Sequence, residues 1–169
     1  MSAGAASTAD GLAASPLCEV KIELEADAPI ALGRSPWRSR RVSYIASGRF
    51  TGERLNGVVL PGGGDWSESG AGADGEALTL VDVRSIWRTD DGARLYVTYG
   101  GRLVIPPAAL AAFRDPATVE TLAPDAYYFR ILMTFETADQ RYGWLNGLVA
   151  VGQGRRTATG VRYRIFAID

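Results

Sequence analysis

Between residues 127 and 137 the chain alternates in strict steps of two. Tyr127, Phe129, Ile131, Met133 and Phe135 fall on one side, and Tyr128, Arg130, Leu132, Thr134 and Glu136 on the other. A period of two sends successive side chains to opposite faces of a β-strand and is incompatible with a helix face. The same rhythm governs residues 17–25, where Val20, Ile22 and Leu24 oppose Glu19, Lys21, Glu23 and Glu25. It returns at 161–168, where Val161, Tyr163 and Ile165 alternate with Arg162 and Arg164. Further strands are expected over 42–50, 54–60, 77–88, 93–101 and 142–152. The only helical expectation lies within 106–122: Pro107 can open a helix over 108–113, and Pro116 interrupts it. This many strands without a βαβ rhythm predicts an all-β fold, an antiparallel β-barrel of lipocalin-like size with one short helical insert. Closure into a barrel avoids long open edges.

The segment Asp90-Asp91-Gly92 separates two of these strands. Aspartates suit a type I turn and Gly92 suits the left-handed position, which favours a three-residue loop. Loop length fixes register, because a slip of one residue reverses every side chain. Three loop residues group Val81, Val83 and Trp87 with Leu95, Val97 and Tyr99. Asp82, Arg84, Tyr96 and Thr98 then share the opposite face. Residues 127–137 and 142–152 are expected to pair as antiparallel neighbours around a short turn near Asp139.

The 169 residues suit one domain, read as a disordered tail over 1–16 followed by a single barrel over 17–169. The tail lacks the basic start and apolar stretch of a signal peptide, so the expected compartment is the cytoplasm. No apolar run reaches the roughly 18 residues of a membrane span. A net charge of −1 gives nucleic acid or an anionic membrane nothing to attract it. The chain contains no histidine, which excludes His-based triads and most zinc or facial-triad iron sites. Its one cysteine, Cys18, excludes an intrachain disulfide, and Lys21 is its only lysine. No dense run of oxygen ligands suggests calcium or magnesium, and no glycine-rich loop precedes a helix as in phosphate-binding motifs. Neither a cofactor nor a metal is therefore expected.

Leu60-Pro61-Gly62-Gly63-Gly64-Asp65-Trp66 is the most distinctive local stretch. Proline and three glycines end a strand, turn sharply and permit close approach to the backbone. A carboxylate and a large ring follow at once, a combination suited to a cavity mouth. The plainer alternative is a tight turn with an exposed acid and a core tryptophan. Residues 26–41 read as a loop broken by Pro29, Gly33 and Pro36, with Trp37 among Arg34, Arg38, Arg40 and Arg41. That cluster suits an anionic ligand, a partner surface or a plain solvated loop.

Four groups of residues resemble a known family. Gly48, Phe50, Gly52 and Gly57 run into the Leu60–Trp66 stretch, and Asp82 and Arg84 precede Asp90, Asp91 and Gly92. Tyr128, Phe129 and Arg130 precede Phe135, Glu136 and Thr137, and Trp144, Leu145 and Asn146 lead to Gly152 and Gly154. Together they resemble the bacterial and fungal barrel family catalogued as domain of unknown function three-two-three-seven. Ser47 departs from the glycine common there. The resemblance implies a single barrel that forms homo-oligomers, most simply dimers, and it supplies no activity.

The motifs repeatedly set polar groups beside aromatic ones, as ligand pockets do. The expected function is that of a small-molecule-binding barrel, read as a cofactor-independent isomerase, lyase or cyclase. It would move protons on a small, largely apolar or aromatic substrate. The alternative is a non-catalytic barrel that binds or carries such a ligand. Asp65 or Asp82 would be the base, its pKa raised by apolar surroundings or held low by Arg84 or Arg130. Tyr96 or Tyr128 would donate to an enolate, with Arg130 and Asn146 as oxyanion partners. Trp66, Arg84, Tyr96, Tyr128, Trp144 and Asn146 would contact substrate. Asp82 with Arg84 also reads as a barrel-face ion pair, and Trp144 as core packing.

Overall fold

A computed structural model describes residues 11–169. The chain forms β1 (Ala14–Leu24), β2 (Ile30–Arg34), β3 (Ser39–Thr51), β4 (Gly57–Val59), β5 (Gly64–Asp65) and β6 (Glu68–Ala71). There follow β7 (Ala77–Thr89), β8 (Arg94–Ile105), helix α1 (Pro107–Arg114), β9 (Tyr128–Glu136), β10 (Val149–Arg156) and β11 (Gly160–Ile168). Each neighbouring pair is antiparallel, in the order β1, β11, β10, β9, β8, β7, β4, β3. Pairing of β3 with β1, Val20 opposite Phe50, closes the circuit into an eight-position barrel. The short strands β4, β5 and β6 share one of those positions, filling the gap between β3 and β7 in turn.

The register of β7 on β8 is the one that a three-residue loop requires. Val83 faces Tyr99, Trp87 faces Leu95, and the turn closes as Thr89 N–H donates to the Ala93 carbonyl at 2.9 Å. Gly92 takes φ +93°, a region that side chains disfavour. Val83, Trp87, Leu95, Val97 and Tyr99 are buried, while Arg84, Ile86 and Tyr96 face outward.

One end of the barrel is packed shut. Phe50 stacks on Trp87 at 4.6 Å between centroids, and Phe135 meets Trp87 edge-on at 6.2 Å. The 3-10 segment Gln140–Gly147 lies beside the end of β9 and buries Leu145 completely. The opposite half of the interior is hollow.

Several expectations are corrected. β1 begins at Ala14, because Ala14 and Ser15 pair with Ile168 and Ala167; residues 1–10 of the expected tail lie outside the described residues. Residues 26–41 contain a hairpin rather than a loop, with Ile30 opposite Val42 and a register shift between Ala31 and Gly33. β9 and β10 do pair, Ala150 opposite Met133, but Trp144 and Asn146 sit in the 3-10 segment that joins them. Asp139 starts that segment by accepting from Arg141 N–H at 3.1 Å. Among the described residues, no helix is long and apolar enough to cross a membrane.

Candidate functional site

The hollow half of the barrel encloses a cavity of about 650 Å³. Apolar side chains form most of its wall, including Ile22, Ile45, Val81, Val83, Leu103 and Phe129. Helix α1 contributes Phe113 and Arg114 at its rim, and the β1–β2 connection contributes Glu25 and Pro29.

Asp65 is the carboxylate that the short-strand position projects into this space. On β5 it pairs with Ser43 of β3 and Val83 of β7, and directly opposed residues share a face. Both partners line the cavity, and so does Asp65. The glycine run makes this placement possible. Gly62 takes φ +95°, and a Cβ on Gly63 would lie 2.6 Å from the Arg84 carbonyl oxygen. What approaches the bare backbone is therefore strand β7, not a ligand.

Burial pushes the Asp65 carboxyl up from 3.8 to about 6. The Asp82 N–H, which donates to Oδ1 at 3.0 Å, and the Arg41 charge oppose that rise, and the Asp82 charge adds to it. Tyr99 on β8 and Tyr163 on β11 form another polar part of the wall, their rings edge to face at 5.5 Å. Burial, reinforced by the Asp65 charge, holds the Tyr99 hydroxyl well above its ordinary range. The Tyr163 hydroxyl is raised by burial, then by Tyr99 and Asp65. Both phenols thus remain neutral, and since their hydroxyls interact with each other, one of the pair keeps a proton free to donate. A partly ionised carboxylate facing neutral donors in an apolar chamber can take a proton from a ligand and stabilise the resulting oxyanion.

The other expected site residues lie elsewhere. Trp66 follows Asp65 and points outward, its ring edge-on to exposed Tyr44 at 6.4 Å. Asp82 and Arg84 form an outer-face ion pair at 3.2 Å, with side chains 50% and 51% exposed. Arg84 also lies 6.0 Å from the Trp66 ring. Tyr96 and Tyr128 are exposed on the outer wall, and Arg130 lies 5.0 Å over Tyr128 while donating to the Phe129 carbonyl. Trp144 is half-buried under Arg54 at 4.1 Å. Asn146 clamps Thr137, accepting from its N–H at 2.8 Å and donating to its carbonyl at 3.0 Å. The expectation that Arg130 and Asn146 reach the cavity with Asp65 is thus corrected, since alternation and the closed end carry them away from it. Arg41, Tyr99 and Tyr163 take their place in the cavity wall, and none of the three was expected there. The available signal was a polar group interrupting an otherwise apolar face, as Tyr99 does beside Val83 and Val97. Among the described residues, no three His, Cys, Asp or Glu side chains gather as metal ligands would.

Fold and cavity together define a class, a closed antiparallel β-barrel with a chamber of small-molecule size. Comparison with known proteins narrows this to a family: residues 12–168 match the family described as Protein of unknown function (DUF3237), and the chain belongs to it. A UPF0311 protein of Clostridium acetobutylicum is 32% identical over 149 residues, covering 88% of this chain and 90% of that protein. The crystal structure of a beta-barrel like protein from Acinetobacter baumannii AYE matches with a TM-score of 0.73 and 31% identity. That match covers 94% of this chain and 97% of the other. The fold also matches an enzyme from Penicillium herquei, with a TM-score of 0.63, 19% identity, and 94% and 95% of the two chains covered.

Proposed function

We propose that the chain is a cofactor-independent enzyme performing proton transfer on a small, largely apolar or aromatic molecule held in the barrel cavity. One observation carries this reading. Asp65 is the carboxylate set among apolar wall residues, and burial brings its pKa to about 6. A base poised near the working pH combines an adequate ionised fraction with useful proton affinity, the balance that general acid–base catalysis needs.

Asp65 would take a proton from a carbon next to a carbonyl, leaving the electron pair on the carbonyl oxygen as an enolate. Tyr99 or Tyr163 would donate a hydrogen bond to that oxygen. Return of the proton to another carbon makes the reaction an isomerisation; loss of a leaving group makes it an elimination, and attack within the same molecule makes it a cyclisation. The Penicillium herquei neighbour, described as an enzyme, supports only the compatibility of this fold with catalysis. The cavity equally suits a carrier, as single-ligand chambers do in other eight-stranded barrels.

Proton transfer can be tested before a substrate is known. Aromatic ketones and enols that raise the melting temperature are incubated with the protein in D2O, and NMR follows exchange of carbon-bound hydrogen. The proposal expects exchange that falls by about 10²–10⁴ in Asp65→Asn while binding is largely kept. Binding without exchange in the wild type would assign the barrel to carriage instead.

A further inference from the structure

Arg41 lines the cavity among mostly apolar side chains. It lies on β3 two residues before Ser43, the strand partner of Asp65, so Arg41 and Asp65 rise from neighbouring same-face positions. Same-face residues on a strand are roughly 6–7 Å apart. Its Nη2 donates to Thr79 Oγ1 at 3.0 Å, while its Nε is buried and has no partner. Such a donor is rarely left empty in a folded protein. Two further arginines, Arg114 and Arg156, line the same space. Among the described residues, none of the three takes part in a salt bridge. Arg156 is spent on the Phe113 carbonyl and ring and Arg114 is exposed, which leaves Arg41 as the cavity-lining arginine with a buried nitrogen that lacks a partner. Three arginines stand there against two carboxylates, Asp65 and Glu25, so the wall carries an excess of positive charge.

We propose that the cavity ligand is an organic anion, a carboxylate on an aromatic or alicyclic body, and that Arg41 receives its carboxylate group. The inference rests on the proton-transfer reading only for its use of the same cavity, and it names the class of molecule. The planar guanidinium matches a carboxylate with directed donors, and burial strengthens each charge-assisted bond. Burial also lowers the Arg41 pKa while Asp65 raises it, the balance expected of a cation short of a partner. With the carboxylate on Arg41, the ligand body extends along the apolar wall towards Asp65 and the two tyrosines. A phosphate ester is disfavoured, because its second charge would face Asp65.

Calorimetry at pH 8 with 2-naphthoate and 2-naphthamide, which share one ring system and differ in charge, tests this. The wild type should prefer the carboxylate by about tenfold or more, the scale of one charge-assisted bond. Arg41→Gln should lose that preference and keep its affinity for the amide. Arg41→Lys, which preserves the charge in the fold, should retain part of it. Equal binding of both probes by the wild type would overturn the anion inference and leave the cavity reading intact. A carboxylate preference surviving in Arg41→Gln would overturn the assignment to Arg41. Failure of both probes to bind at millimolar concentration would overturn this inference and the small-molecule reading together, whereas a wild type that binds without catalysing exchange would overturn the proton-transfer reading alone.

Discussion

At the scale of single residues, Asp65 has a thermodynamic signature apart from any reaction. Burial raises its carboxyl to about 6 in the fold against an ordinary 3.8. Between those values the folded protein keeps a proton that the unfolded chain has lost. The Asp65 contribution to stability therefore falls as pH rises from about 4 to about 6, and the full penalty applies above that. Asp65→Asn removes the charge and keeps an acceptor for the Asp82 N–H. It should stabilise the protein by about 1–2.5 kcal/mol at pH 8, two units at about 1.36 kcal/mol each being the ceiling. Near pH 4 the two proteins should unfold alike. Urea titrations at both pH values check this, and a destabilised Asp65→Asn at pH 8 would contradict the burial account. A group that strains the fold yet faces the cavity is placed as functional groups are.

At the scale of elements, the broken strand between β3 and β7 aims Asp65, and Gly63 sets how closely it packs. Gly63→Ala would force a Cβ against the Arg84 carbonyl at 2.6 Å, whereas the corresponding position on Gly92 meets open space. Gly92→Ala should cost about 1 kcal/mol for its positive φ. Gly63→Ala should cost more, because β5 must move off β7, and it should lower the Asp65 pKa by admitting water. Equal costs in denaturant would show that the close approach at Gly63 is not limiting. Element type was legible wherever alternation was long, as in β1, β7, β8, β9 and β11. The Asp90-Asp91-Gly92 turn even revealed the register of β7 on β8. The site was less legible because adjacency in sequence suggested adjacency in space. Asp65 and Trp66 are consecutive in extended chain, so only one of them can face the cavity. Trp144 and Asn146 were misplaced for a different reason: Gln140–Gly147 carries no alternation, and packing of Leu145 decides its 3-10 form. Arg41 was legible only as part of a basic loop cluster, and its place in the cavity wall was hidden because Pro29, Gly33 and Pro36 mask the pairing of the β2–β3 hairpin.

At the scale of the whole molecule, closure leaves one strand outside the circuit. Among the described residues β2 pairs only with β3; it exposes Ile30 and Leu32, and Leu32 borders a shallow surface pocket with Trp37, which is 85% exposed. An uncovered strand edge with apolar side chains suits symmetric pairing with a second copy. A homodimer is expected, with Trp37→Ser shifting it towards monomer without loss of fold. Light scattering at micromolar concentration checks both proteins, and a monomeric wild type would contradict the expectation. The cavity opens beside α1 and the β1–β2 connection, so this hairpin also connects the surface edge to the strand that carries Arg41.

The central claim is that the barrel holds Asp65 as a base by burying it in the cavity wall. Carbon-13 NMR of the Asp65 carboxyl across a pH titration, assigned by its loss in Asp65→Asn, tests this most directly. The account predicts a midpoint of about 6. A midpoint near 4, the value of a carboxylate in water, would contradict it.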